Sequence, residues 1–434
     1  MSPASSLGPY SPGHNGPHRR LRVAVLSVHG CPIVRAGEKD AGGMNVYVLE
    51  TARALGARGV LVDVYTRAHD PADPQVVGLG PGARLVHMAA GPLRPEKDGV
   101  YNLLPDFIRR VREFARRDGA SYDLVASHYW LSGVAGLELS RGWGVPHVTS
   151  FHTLAEVKRR ARPGEREARE RAPSERIVTR EADRVIAWSS HERDLLASLY
   201  GADPGRVLVI PPGVDNRAFQ PLDPRRSRAT LGIPDSARVV LYVGRVERLK
   251  GIEILLQAVA GMEEEDGVRL YIVGGAPGEA EQQRLKRVAA SLDVLDRVEF
   301  TGSVPRERLP LYYSAADVSV FPSYYESFGL AALESSACGT PVIASRVGGL
   351  PSVVHEGETG YLIPWRCPAA FIQRLEIILF NDHLRAVMGR AARAHAEGLG
   401  WDVVVDRLEQ AFESVVRQRA AGAAPLTLLA GGAS

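Results

Sequence analysis

Short β-branched runs alternate with helix-length amphipathic segments along this chain, and the alternation runs its course twice. Nothing else in the sequence restricts the fold as much. A strand–helix–strand series with nearly continuous apolar strands packs as a parallel sheet covered on both faces. The first series starts with the run at 21–28 and continues with strands near 60–66, 84–88, 123–127, 146–150, 184–188 and 206–210. A Pro/Asp loop separates the second strand from the third. Pro211-Pro212-Gly213-Val214-Asp215 then reads as a hinge. From Arg238 the alternation restarts, with strands near 238–243, 268–273, 297–301, 318–321, 341–344 and 361–363. The pattern predicts an α/β fold of two doubly wound domains, 21–212 and 213–400, with the active site in the cleft between them. A last helix over 402–418 sets Val403, Val404, Leu408, Phe412 and Val415 mostly on one face, so it is expected to return and pack on the first domain. Residues 1–20 read as a disordered tail and 419–434 as a flexible one.

Bulk composition excludes several classes. With 45% hydrophobic and 24% charged residues the chain is an ordinary globular one, and a net charge of +3 gives no field for nucleic acid or a membrane surface. No apolar run approaches the roughly eighteen residues of a membrane span, and the first twenty residues lack the apolar core of a signal peptide. A cytoplasmic protein is expected. Cys31, Cys338 and Cys367 show no Cys-x-x-Cys spacing, so neither zinc nor a disulfide framework is implied. The 53 basic residues include only five lysines, at 39, 97, 158, 250 and 286, which draws attention to each of them. The segment 156–181, with its eight arginines, reads as a solvated helical surface.

The chemistry gathers at 318–350. A short strand, a polar turn, a helix over 328–337 and a second strand form one unit of the parallel sheet. Glu326 lies in the turn and Glu334 eight residues on, while Ser327, Phe328, Gly329 and Leu330 present backbone amides at a helix start, a ready phosphate site. Arg245 and Lys250, five apart in the loop after another strand, can give charge-assisted hydrogen bonds to a diphosphate. There is no Asp-x-Asp pair to hold a metal for that purpose. Near the N-terminus Gly42-Gly43 opens a helix, and Gly43 lets the backbone approach a phosphate closely. The Gly-x-Gly-x-x-Gly fingerprint is missing, which disfavours a nicotinamide site. Each feature alone has an ordinary explanation, the helix dipole for a Glu before a helix and surface basicity for the cations.

Together they are specific. Glu326-x7-Glu334, Ser-Phe-Gly-Leu after the first Glu, Gly-Thr-Pro-Val-Ile-Ala at 339–344 and Val-Gly-Gly-Leu-Pro at 347–351 resemble the signature of retaining glycosyltransferases of the sucrose-synthase-like family. That resemblance implies the GT-B fold of two facing Rossmann-like domains. It also implies that Glu326 holds donor-sugar hydroxyls, that Glu334 holds the ribose, and that Arg245 and Lys250 neutralise the diphosphate. Residues 327–330 and Gly43 would face the phosphates. His152, at the exit of a strand, would meet the donor sugar or the reacting centre, a buried and satisfied histidine being the alternative. In such enzymes the acceptor attacks the face from which the nucleotide leaves, with the leaving phosphate as base.

Four further strings, Gly42-Gly-Met-Asn45-Val-Tyr, Ala90-Gly-Pro with Lys97, Ser127-His-Tyr129-Trp-Leu-Ser-Gly and His152-Thr153-Leu-Ala-x-Val-Lys158, resemble one branch of that family. It comprises the inositol-phosphate N-acetylglucosaminyltransferases of mycothiol synthesis, with sucrose-phosphate synthases as near relatives. By resemblance Asn45, Lys97, Tyr129, Thr153 and an arginine hold the acceptor's phosphate and ring. The arginine is taken as Arg176, with Arg171 as the alternative. The expectation is transfer from UDP-GlcNAc or UDP-glucose to inositol phosphate, or alternatively to a hexose phosphate, with the UDP-sugar as co-substrate and no cofactor or metal. A nucleotide-sugar epimerase would have no use for a phosphate-binding set in the first domain. A silent sugar-nucleotide-binding module fits poorly with intact Arg245, Lys250, Glu326 and Glu334. Only small-molecule partners are implied, and a homodimer is left open.

Overall fold

The computed structural model describes residues 20–33, 42–93, 97–161, 164, 167–276, 278–364 and 367–423. Two sheets organise them. The first is built from β1 (Arg22–Leu26), β2 (Leu61–Arg67), β3 (Val76–Gly80), β4 (Ala83–Met88), β5 (Leu124–His128), β6 (His147–Ser150), β7 (Arg184–Ala187) and β8 (Val207–Val209). Their spatial order is β3-β4-β2-β1-β5-β6-β7-β8, and every pairing is parallel except β3 with β4. The second sheet contains β9 (Arg238–Val243), β10 (Val268–Val273), β11 (Val298–Gly302), β12 (Val318–Phe321), β13 (Val342–Ser345) and β14 (Gly360–Ile363), in the order β11-β10-β9-β12-β13-β14 and wholly parallel. In each sheet the order reverses beside the first strand of its series, the place where open α/β sheets form a binding crevice.

The central strands are apolar on both faces because helices cover both: Val23, Ala24 and Leu26 of β1 are wholly buried, as are Val240 of β9 and Val320 of β12. Strand β3 departs from the sequence reading, which left its span in a loop. Leu79 is its one buried residue, and an edge strand that buries one side chain carries no apolar run to detect. The arginine-rich segment also differs. It forms two helices, Ala155–Ala161 and Arg171–Glu181, and the second buries Arg171 and Glu175 instead of presenting a solvated surface.

The chain crosses between the sheets at two places that touch. The Val214 amide donates to the Leu399 carbonyl at 2.9 Å, and Val214 pairs with Gly400. Beyond the second crossing a helix, Trp401–Ala423, lies against the helix Gly43–Ala57 of the first domain. Val404, Leu408, Phe412 and Val415 are buried there, while Val403 is only half-buried. Arg58 pairs with Asp406, and with Glu409 at 2.8 Å. The helix continues past residue 418, so part of the span read as a flexible tail, 419–423, is helical. Residues 1–19 and 424–434 lie outside the described residues.

Candidate active site

The turn after β12 is shaped by its neighbours. The helix that follows is Leu330–Ala337, two residues shorter at its start than the sequence suggests, because Gly329 stands before it at φ 102°. A side chain at 329 would be strained in that conformation, and its Cβ would come within 2.7 Å of Leu350. The Gly-Gly segment of the 347–351 string packs behind the turn, with the Gly349 amide donating to the Glu326 carbonyl at 2.9 Å. The Tyr324 amide donates to the Leu249 carbonyl at 2.8 Å, which ties the turn to the loop after β9.

That tie brings two expected partners together: Lys250 Nζ donates to Glu326 Oε2 at 2.6 Å, both side chains being about four-fifths buried (17% and 21% exposed). Arg245 stands more openly, paired with Glu247 at 2.7 Å and 54% exposed, a cation free to swing toward an incoming anion. Glu334 faces the other way along its helix. It is buried, accepts from Arg306 at 3.2 Å and from the Tyr313 hydroxyl at 3.3 Å. Burial pushes its carboxyl upward, against the opposing pull of Arg306 and Tyr313. Arg306 also donates to Glu50 at 3.1 Å, so one guanidinium joins the helix Gly43–Ala57 to Glu334 across the cleft. Sequence reading missed Arg306. Its partners lie 28 and 256 residues away, and no local pattern connects them.

Gly43 faces the start of the helix Leu330–Ala337, with Leu330 Cδ1 2.9 Å from where its Cβ would be. Two helix N-termini, one from each domain, therefore meet across the cleft. Amides at a helix start have no carbonyl one turn back and suit an anion, though here the Asn45 amide donates to the Gly42 carbonyl at 3.0 Å.

On the first-domain side two strained residues mark the site. Three non-glycine residues among those described have positive φ; of these, Tyr129 (76°) directly follows β5 and His152 (62°) lies two residues past the end of the adjacent β6. Such strain costs about 1–3 kcal/mol each and persists only where the surroundings impose it. His152 is buried, with Nε2 2.9 Å from His128 Nδ1 and Trp188 edge-on at 4.5 Å. Burial, then the neighbouring His128 and His29, hold its imidazole well below the usual range, so it is neutral at pH 7. Its Nδ1 has no hydrogen-bond partner among the described residues.

Tyr129 and Thr153 share one arginine, and it is Arg171. The guanidinium lies 4.6 Å from the Tyr129 ring centre and donates to Thr153 Oγ1 at 2.9 Å and to the Thr153 carbonyl at 2.7 Å. Glu167 at 2.6 Å and Glu175 at 2.7 Å accept its remaining donors, and Lys158 pairs with Glu167. Arg176, the residue preferred from sequence, is 48% exposed and bonded to Glu156 at 3.0 Å, on the outer face of the same helix. Of the two arginines named from the sequence, it is the alternative, Arg171, that stands against Tyr129 and Thr153. The charges of Lys158 and Arg171 are balanced by those of Glu167 and Glu175, so this network orients Tyr129 and Thr153 without adding net positive charge. Asn45 is buried and donates through Nδ2 to the Cys31 carbonyl at 2.7 Å. Lys97 begins a 3₁₀ turn, Lys97–Leu103, but its side chain lies outside the described residues.

Two family models match the chain. The family described as glycosyl transferases group 1 matches residues 223–395, and glycosyltransferase family 4 matches residues 41–217. The chain is 42% identical over 408 residues to the D-inositol 3-phosphate glycosyltransferase of Thermobifida fusca, covering 92% of this chain and 94% of that one. To the protein of that name from Nocardiopsis dassonvillei it is 43% identical, covering 92% and 96%. Among solved structures, the sucrose-phosphate synthase of Thermosynechococcus elongatus superposes with a TM-score of 0.86 at 35% identity, over 92% of this chain and all of that one. Anabaena HepE in complex with UDP and glucose superposes at 0.72 with 20% identity, over 91% of this chain and all of that one, which shows a shared fold.

Proposed function

This chain belongs to the D-inositol 3-phosphate glycosyltransferase family, and from that membership we propose that it moves a hexose or N-acetylhexosamine from a UDP-sugar to inositol phosphate, with retention of configuration. The observation that carries the reading is the meeting of two helix N-termini at Gly43 and Leu330, with Lys250 and Glu326 paired beside them. A nucleoside diphosphate needs its leaving charge met, and backbone amides with Lys250 and Arg245 can meet it without a metal ion. On donor binding, Lys250 turns from Glu326 to a phosphate oxygen, and Glu326 becomes free to accept from sugar hydroxyls. Glu334 accepts from the ribose.

The acceptor lies against the first domain. Tyr129 and Thr153, held in place by Arg171, offer hydroxyls to its phosphate. Because the charges around Arg171 cancel, the balancing charge comes from Lys97. Asn45 bonds the acceptor ring. Neutral His152 offers Nδ1 to a donor hydroxyl close to the anomeric carbon. The acceptor hydroxyl attacks that carbon on the face the diphosphate leaves, and passes its proton to the departing phosphate oxygen. Closure of the cleft about the paired crossings at 214 and 400 excludes water, which would otherwise compete as acceptor. No helix among the described residues is long and apolar enough to cross a membrane.

Transfer to a hexose phosphate is the second reading, favoured by the 35% identity with a sucrose-phosphate synthase. Incubating the protein with UDP- and GDP-sugars against inositol phosphates and hexose phosphates, and assigning the product's anomeric configuration by NMR, separates the two. An α-linked product formed from UDP-GlcNAc and inositol phosphate is expected. An inverted product, or a donor other than a UDP-sugar, overturns the proposal.

A further inference from the structure

In the first domain the fold collects one thiol and two imidazoles from three separate segments. Cys31 lies in the loop after β1, His69 in the connection from β2 to β3, and His87 on β4. One candidate ligand atom from each lies within 4.8 Å of the others. Cys31 and His87 are buried, at 3% and 3% exposure.

The orientation of the rings is informative. His87 Nδ1 lies 2.7 Å from the Pro74 carbonyl oxygen, an acceptor, so Nδ1 carries the proton and Nε2 keeps its lone pair. That Nε2 is 3.5 Å from Cys31 Sγ. His69 Nδ1 is 2.9 Å from Asp73 Oδ2, but without hydrogen-bond geometry, so the carboxylate stands beside that ring and does not take up its Nδ1. The backbone carbonyl behind the His87 imidazole is the kind of outer partner that metal-bound histidines ordinarily have. Asp73 is itself fixed, accepting the backbone amides of His69 and Asp70 at 2.9 Å each.

The distances suit one metal in particular. With zinc–sulfur and zinc–nitrogen bonds of about 2.3 and 2.05 Å, a tetrahedral centre separates sulfur from nitrogen by roughly 3.6 Å. The Cys31–His87 separation of 3.5 Å already meets that value. A thiol–imidazole hydrogen bond would account for this pair, but not for a second imidazole with a ring nitrogen within 4.8 Å of both. One thiolate and two neutral imidazoles are poor ligands for magnesium or calcium, which take oxygen, and good ones for zinc.

We propose that Cys31, His69 and His87 bind a zinc ion that fastens the loop after β1 to β4 and to the β2–β3 connection. The ion serves the site indirectly. The Cys31 carbonyl accepts from Asn45 at 2.7 Å, so fixing this loop fixes Asn45 at the start of the helix Gly43–Ala57. Cysteine spacing implied no zinc, because the three ligands are separated by 38 and 18 residues and meet only in the folded chain.

The test uses the full-length chain, purified without a metal-binding tag and analysed for metal by mass spectrometry. About one zinc per chain is expected, falling at least tenfold in Cys31→Ser and in His69→Gln. After chelation, cobalt(II) should bind with the sulfur-to-metal absorption and intense visible bands of a tetrahedral thiolate site. If Cys31→Ser does not fold, His69→Gln and the cobalt spectrum of the unaltered chain decide the matter. A chain that takes up no zinc from micromolar solution, zinc content unaffected by both substitutions, or copper in place of zinc would each overturn the proposal.

Discussion

Gly43 and Leu330 face one another across the interdomain cleft so closely that a methyl group on Gly43 would lie 2.9 Å from Leu330 Cδ1. Each residue opens a helix. Gly43→Ala should therefore hold the domains apart and lower kcat/KM for the donor about tenfold or more. Gly42→Ala is the control, because its Cβ would meet nothing within 4 Å among the described residues. Steady-state kinetics on both variants, with circular dichroism to confirm folding, checks this.

Lys250 is paired with Glu326 before any donor binds. Removing it should cost about 1.5–3 kcal/mol of charge-assisted hydrogen bonding, or roughly ten- to a hundredfold in turnover. Magnesium or manganese added to the assay should leave turnover of the unaltered enzyme unchanged. A strict requirement for either ion would show that a metal, not Lys250, carries the diphosphate charge.

Arg171 and Arg176 lie on one helix and should behave oppositely. Arg171→Lys keeps the charge but loses the forked geometry that reaches Thr153 and Glu175, so the acceptor KM should rise roughly tenfold. Arg176→Ala removes an exposed side chain, and should change KM by less than about twofold. If the two effects were exchanged, Arg176 would be the acceptor residue after all.

Glu192 gives a pH signature of its own. Burial pushes its carboxyl up to about 7, with the Trp188 amide pulling the other way. An unfolded glutamate titrates near 4.3, so between about pH 4.3 and 7 the folded chain holds a proton that the unfolded chain has lost. The stability this contributes is present below pH 4.3 and is lost as pH rises through 7. Glu192→Gln keeps an acceptor for the Trp188 amide and has no charge to bury. It should be more stable than the parent at pH 8, by up to about 3 kcal/mol, and equal to it near pH 4.5. Urea denaturation at the two pH values measures the difference.

What was legible in the sequence was what is local. The two series of strands and helices show because buried parallel strands are apolar runs. The Glu326 turn shows because its glycines, amides and carboxylates fall within thirty residues. Arg171 stood in the sequence only as an alternative to Arg176, since whether an arginine in a charged segment is buried depends on Glu167, Glu175 and Tyr200 folding around it. Arg306 was hidden for a similar reason, its value lying in a contact with Glu50 from the other domain. Strand β3, nearly all exposed, had no pattern to show.

In the proposed reaction the first domain reads a phosphorylated acceptor. The most direct measurement is UDP release from UDP-GlcNAc with inositol 3-phosphate and with free inositol as acceptors. The expected result is a kcat/KM at least about a hundredfold higher for the phosphorylated form, because a site built to bond phosphate leaves its polar groups unpaired without it. Equal rates with the two acceptors would contradict the claim.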